Sequence, residues 1–314
     1  MESNNLISFP KALIVLPVFN EERFIASTIQ NLTISNYPNF EILIIDDGST
    51  DATANIIKNH FFKNIIYKYQ ENQGPSSAMN VAIDYAIEHN FEFISRCDAD
   101  DISHPDRIKK QINILLSDAN YAACGSNCNY IGENSENIIG NSTVSIFPKL
   151  VHIEIQLGLR GIIQGCTTFR TSALEEIGGY NSELRQAEDT DLFLRLSENY
   201  QLTNIPDFLY TIRYRNTSLS NKDIYNTSLN YIFARKLSKL RKKGIPIISK
   251  SHFESHLSFI DKFNIFVESN FLRQRKKYLT SRNPLFLFFA IFLSPKRIVF
   301  RLIRRLSYLL FHSF

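Results

Sequence analysis

Phe91-Glu92-Phe93-Ile94-Ser95-Arg96-Cys97-Asp98-Ala99-Asp100-Asp101 is the stretch whose reading decides the fold. An apolar-leaning run with strand character stops at three carboxylates within four positions, and Pro105 follows where a new helix can start. The carboxylates therefore fall at the C-terminal end of a strand, the edge of an open α/β sheet where ligands bind. If extended geometry persists beyond the strand, the side chains at 98 and 100 point the same way. Two hard oxygen donors then converge on Mg2+ or Mn2+ together with phosphate oxygens, with no need of cysteine or histidine. Taken alone, the same residues also suit a plain acidic loop capping the next helix.

The flanking sequence repeats the arrangement. Residues 12–16 form a β-branched-rich run, as expected of a strand buried on both faces of a parallel sheet. Pro17-Val18-Phe19-Asn20 ends it, and Asn20 is placed to cap a helix with Glu21 and Glu22 in its first turn. Ile42-Leu43-Ile44-Ile45 is a second strand, followed by the turn Asp46-Asp47-Gly48-Ser49-Thr50-Asp51 and a helix over 52–59. A third strand, 65–69, leads through Glu71-Asn72-Gln73-Gly74-Pro75 into a helix over 76–88. After Pro105, the spacing of Ile108, Ile112, Leu115 and Leu116 buries one helical face. Strand and helix alternate as in a doubly wound sheet with helices on both faces.

Beyond this the pattern loosens. Residues 121–129 and the turns near Gly132 and Gly140 read as extra, partly antiparallel structure facing the ligand edge. A short strand over 165–170, helices over 173–177 and 188–198, and a last strand over 209–214 follow, with a loop to Ser220. The expected division is an α/β part, 1–221, and a helical, basic part, 222–314.

The 314 residues suffice for one large domain with an appendage, and 44% hydrophobic with 21% charged residues excludes a disordered chain. The net charge of +4 hides an asymmetry: after Glu268 there are ten Lys or Arg and no acidic residue, so the body is acidic and the tail strongly basic. Cys97, Cys124, Cys128 and Cys166 are too few and scattered for a disulfide framework, which favours a reduced, cytoplasmic setting. Cys124 and Cys128 have no second pair at zinc spacing. The apolar run near the N-terminus is too short for a signal peptide and reads as a strand. The apolar run 285–293 is too short to span a bilayer. Arg297, Arg301, Arg304 and Arg305 share a helical face opposite Val299, Leu302, Ile303, Leu306 and Leu310, the pattern of a helix lying on an anionic membrane surface. A tail docked on its own domain or on a second subunit is the alternative, and no nucleic-acid signature accompanies the charge.

In series, Leu16-Pro17-Val18-Phe19-Asn20-Glu21, Asp46-Asp47-Gly48-Ser49-Thr50-Asp51, Asn72-Gln73-Gly74, Asp98-Ala99-Asp100-Asp101 with Pro105, and Glu188-Asp189 resemble the motifs of family 2 glycosyltransferases. The resemblance covers residues 10–221 and leaves the tail outside. It implies a GT-A fold, Rossmann-like with a mostly parallel central sheet, followed here by a helical C-terminal region. It also implies a nucleotide-sugar donor, UDP-sugars favoured, one divalent cation (Mn2+ or Mg2+), and inversion at the anomeric carbon. By that analogy Asp47 meets the base, Pro17, Phe19 and Glu21 line its pocket, Asp98 approaches the ribose or the metal, and Asp100 ligates the metal. Asp189, beside Glu188, resembles the family's general base.

Two departures stand out: Met79 precedes Asn80 where many relatives carry arginine, and Arg215 stands where relatives often carry histidine. Arginine cannot ligate a cation, although it can pair with a diphosphate. The expected protein is a transferase of surface-polysaccharide synthesis acting on a lipid-linked glycan at the inner face of the membrane. A catalytically silent nucleotide-sugar-binding subunit and a nucleotidyltransferase are the competing readings.

Overall fold

The computed structural model describes residues 9–59, 64–215, 223–281 and 283–293. Strands β1 (Ala12–Val18), β2 (Phe40–Asp47), β3 (Ile65–Gln70) and β4 (Phe93–Arg96) lie in the order β3-β2-β1-β4, all parallel. Helices α1 (Ile25–Thr33), α2 (Thr53–Asn59) and α3 (Pro75–Glu88) connect them. The period-2 alternation of β1 divides the core. Ile14 and Leu16 face Ile25 and Ile29 of α1 and Ile108 and Ile112 of α4 (Arg107–Ser117). Leu13 and Val15 face Ala78 and Ala82 of α3, with α6 (Thr171–Glu176) and α7 (Glu188–Asn199) on that side. These positions are fully buried, so truncating one such Ile or Leu to Ala costs about 2–5 kcal/mol.

The second half of the sheet is mixed. β8 (Thr168–Arg170) runs antiparallel beside β4, β6 (Tyr121–Gly132) follows it, and β9 (Gln201–Tyr214) pairs parallel with β6. β7 (Ile138–Asn141) adds to β6, and the two-residue β5 (Ile102–Ser103) pairs antiparallel with β9 through Ile102–Thr211 and Ser103–Tyr210. That last pairing draws the end of β9 against the carboxylate turn, although more than a hundred residues separate them in sequence.

Three local expectations give way. The helix after β1 starts at Ile25 rather than at Asn20, because Asn20 adopts a left-handed φ of 55° and its Oδ1 accepts from the Thr50 amide at 2.8 Å. It therefore caps the neighbouring loop and not its own helix. The last strand begins at Gln201, eight residues before 209, since its pairing with β6 overrides Asn204 and Pro206 through register shifts. The segment Pro148–Gln156, unassigned by periodicity, is helix α5.

The C-terminal part is helical, as Ile224–Lys242, Lys250–Ser255, Phe259–Ser281 and Pro284–Leu293. Leu229, Phe233 and Leu237 of its first helix pack with Leu184, Phe253 and Ile265. Arg241 reaches Asp191 (3.5 Å) and Glu198 (3.3 Å) of α7. Among the described residues no helix is long and apolar enough to cross a membrane. The arginine face at 297–305 lies outside the described residues.

Candidate active site

Loops following β1, β2, β3 and β4 share the C-terminal sheet edge, and hydrogen bonds join the first three. The Glu21 amide donates to Thr53 Oγ1 (2.8 Å) and the Asn20 amide to Ser49 Oγ (3.0 Å). Asp47, 5% exposed, accepts from Gln70 Nε2 (2.6 Å) and from the amides of Gln73 and Gly74 (both 2.9 Å). Its carboxylate is thus the peg on which the 70–74 loop hangs. Gly48, at φ +80°, lies so close that a Cβ would fall 2.8 Å from the Asn72 amide nitrogen. Phe19 is 46% exposed and Pro17 partly buried at the mouth of these loops. Met79 is fully buried in the core, while Asn80 ties α3 to Tyr180 through its amide and carbonyl.

The acidic motif is not an extended continuation of the strand. β4 ends at Arg96, and Asp98–Asp101 folds into a turn in which the Asp101 amide donates to the Asp98 carbonyl (3.2 Å). The extended geometry from which 98 and 100 were expected to point alike is therefore absent, and each carboxylate meets its own cation or donor. Asp98 Oδ1 accepts from Arg96 Nε at 3.1 Å. Asp100 Oδ2 lies 2.6 Å from Arg215 Nε. Asp101 turns inward, accepts from the Arg213 amide (2.8 Å), and burial holds its carboxyl well above the usual range.

Two arginines make one site of these groups. Arg96, 8% exposed at its side chain, contacts Asp98 and sits 3.8 Å from Glu188 Oε1 at the start of α7. Arg215 donates to both Glu21 oxygens (2.5 and 3.0 Å) while it holds Asp100. Burial pushes Asp100 up to about 7, against the pull of Arg215, and Glu21 and Asp98 add to the rise. Burial, with Asp189 adjacent, also lifts Glu188 to about 7, while Arg96 opposes the rise. Asp189 is half-buried, and its Oδ1 accepts from the Thr190 amide (2.7 Å). A left-handed Ala187, at φ 55°, sets the entry of α7 that places Glu188 inward.

Glu21, Asp98, Asp100, Glu188 and Arg215 are thereby brought together, whereas Asp47 acts from the adjoining loop. Arg96, Arg213 and Tyr210, whose hydroxyl accepts from the Asp98 amide (2.9 Å), were not read from the sequence as site residues. Only Arg96 carried a signal, a charge inside an apolar strand that ends in carboxylates.

The donor set suits a hard divalent ion. Asp98 and Asp100 are oxygen donors on one turn, and Asp100's raised affinity for a proton records carboxylates crowded in a partly dry place with too little positive charge. Among the described residues no group of three or more His, Cys, Asp or Glu is already gathered around a metal position.

An α/β sheet with these loops at its strand ends, and a mixed extension beyond β4, defines the GT-A fold. S. aureus TarS, solved with UDP-GlcNAc, matches with a TM-score of 0.55 at 17% identity, over 86% of this chain and 87% of that one. The mannosyltransferase PcManGT of Pyrobaculum calidifontis, in complex with GDP-Man and Mn2+, matches with 0.55 at 16%, over 91% and 74%. The model of glycosyl transferase family 2 matches residues 13–178, and the chain belongs to that family. EpsE of Bacillus subtilis, a glycosyltransferase by name, is 29% identical over 213 residues, 66% of this chain and 74% of EpsE.

Proposed function

We propose that the protein is an inverting glycosyltransferase that moves a sugar from a nucleoside-diphosphate donor, UDP-sugars favoured, to a hydroxyl of a lipid-linked glycan in surface-polysaccharide synthesis. The observation that carries this reading is the Arg96 guanidinium, in contact with both Asp98 and Glu188. It puts the turn that would face the donor phosphates beside the helix start that would face the acceptor. The preference for UDP leans on TarS, which was solved with UDP-GlcNAc and with UDP.

Pro17, Phe19, Glu21 and Asp47 form the nucleoside side, with Asp47 keeping the 70–74 loop in place rather than lying open. Asp98 and Asp100 would hold Mn2+ or Mg2+, which as a Lewis acid offsets the charge growing on a departing diphosphate. Asp189 takes the proton of the acceptor hydroxyl: it is half-buried, whereas Glu188 is buried against Arg96 and is suited to orient rather than to receive. One displacement from the face opposite the leaving group inverts the anomeric centre. Incubation with a panel of nucleotide-sugars, Mn2+ and glycan acceptors should release nucleoside diphosphate, and no release with any donor would refute the assignment.

The tail's ten cations and the amphipathic pattern at 297–310 support a peripheral position on the inner face of the membrane. Deleting 285–314 should move the protein from sedimenting anionic liposomes to the supernatant, and unchanged sedimentation contradicts this.

A further inference from the structure

We propose that Arg215 is a built-in counter-cation that occupies the ion's place on Asp100 in the donor-free enzyme and exchanges with the divalent ion when a nucleoside diphosphate enters. This rests on the metal assignment above and names how that site is regulated.

Arg215 follows the last residue of β9, and its guanidinium bridges two loops. Nη2 and Nη1 hold Glu21 from the loop after β1, at 2.5 and 3.0 Å, and Nε holds Asp100 from the turn after β4, at 2.6 Å. All three side chains are shielded, with 16%, 12% and 14% of their surfaces exposed. The ring of Phe24 lies 5.3 Å from Cζ and closes one side. This is a screened ion pair in which the oxygen that would ligate the dication already faces a guanidinium nitrogen.

A guanidinium does not lose its proton in a protein, so it yields this oxygen only by moving. A dication bound to Asp100 with Arg215 still in place would set like charges a few ångströms apart. The incoming diphosphate removes that conflict, since its paired oxygens match the arginine fork and offer Arg215 a second anionic partner. Arg213, two residues earlier, is pinned instead by the carbonyls of Asp100 (3.1 Å), Gly132 (3.4 Å) and Glu133 (3.3 Å). It keeps the turn in shape while its neighbour swings. Ion and nucleotide then bind with positive coupling, reciprocally for the two ligands.

The test measures two affinities in opposite directions on full-length wild type and Arg215→Gln. Free-Mn2+ titration by electron paramagnetic resonance, without nucleotide, should show the variant binding about tenfold tighter than wild type, within the usual span of such couplings. Calorimetry of UDP in EDTA should show the variant binding about tenfold weaker. A purely structural role for Arg215 lowers both affinities together, and that result, like equal Mn2+ affinities, overturns the exchange while leaving the metal assignment standing. Arg215→Lys, which keeps the charge and loses the fork, should fall between the two in both titrations and serves if the glutamine variant melts early. Absence of Mn2+ binding by either protein even with UDP present overturns the metal assignment itself, and the exchange with it.

Discussion

Arg96→Met removes the charge that joins the two acidic motifs while keeping most of the side-chain volume. Arg96 Nη1 and Glu188 Oε1 are 3.8 Å apart with side chains 8% and 11% exposed, so solvent screens the pair little. At an effective dielectric near ~20 their attraction is about 4 kcal/mol. Removing one partner of such a pair leaves a buried charge and costs about 3–5 kcal/mol. The Asp98 contact adds little, because that side chain is 40% exposed. Glu188 makes the effect depend on pH. Burial raises its folded value from 4.5 to about 7, so folding already binds a proton there and stability from this group falls as pH rises through that window. Without Arg96 the folded value climbs further and the loss extends above 7. At pH 5.5 Glu188 is largely neutral in both proteins and has little need of the guanidinium. Urea unfolding should therefore show the variant's loss of stability about 2 kcal/mol larger at pH 8.5 than at pH 5.5, the most that a folded value of about 7 allows. Equal losses at both pH values would refute the electrostatic account and leave Arg96 as packing alone.

Other perturbations test neighbouring contacts. In Gly165→Ala the new Cβ would lie 2.8 Å from Asp98 Oδ2, so Asp98 must shift; UDP affinity should fall about tenfold by calorimetry while stability changes by only about 1 kcal/mol. Unaltered UDP binding would mean that Asp98 does not face the donor. Gly158→Ala places a Cβ 2.0 Å from Tyr231 Oη at φ +71°, and should unseat the helix Ile224–Lys242 at a cost of about 2–3 kcal/mol, read as a lower Tm. A wild-type Tm would show that this helix is not held at Gly158.

The parallel half of the sheet was legible because its central strands β1 and β2 are buried on both faces and read as nearly unbroken apolar runs, with helical stripes between the strands. The strand-end carboxylates were legible as residues but not as geometry. Asp98–Asp101 leaves the strand path at Cys97, and Asp101 is spent on the Arg213 amide, a partner 112 residues away. β9 resisted reading because Asn204 and Pro206 interrupt its pattern, while the pairing that stabilises it comes from β6. Asn204 in fact donates to the carbonyls of Ser145 and Gly161, so a residue that reads as a breaker is a buried tie. Arg96 and Arg215 gained their roles only when the fold closed. Arg215 was noticed for what it replaced, and the structure adds the two carboxylates it grips.

The role of Asp189 is tested most directly by comparing donor binding and turnover in Asp189→Asn. If this carboxylate accepts the acceptor's proton, UDP-sugar affinity stays within about twofold of wild type while nucleoside diphosphate release with acceptor falls by a factor on the order of 10²–10⁴. Turnover at the wild-type rate with binding intact would contradict the account at its centre.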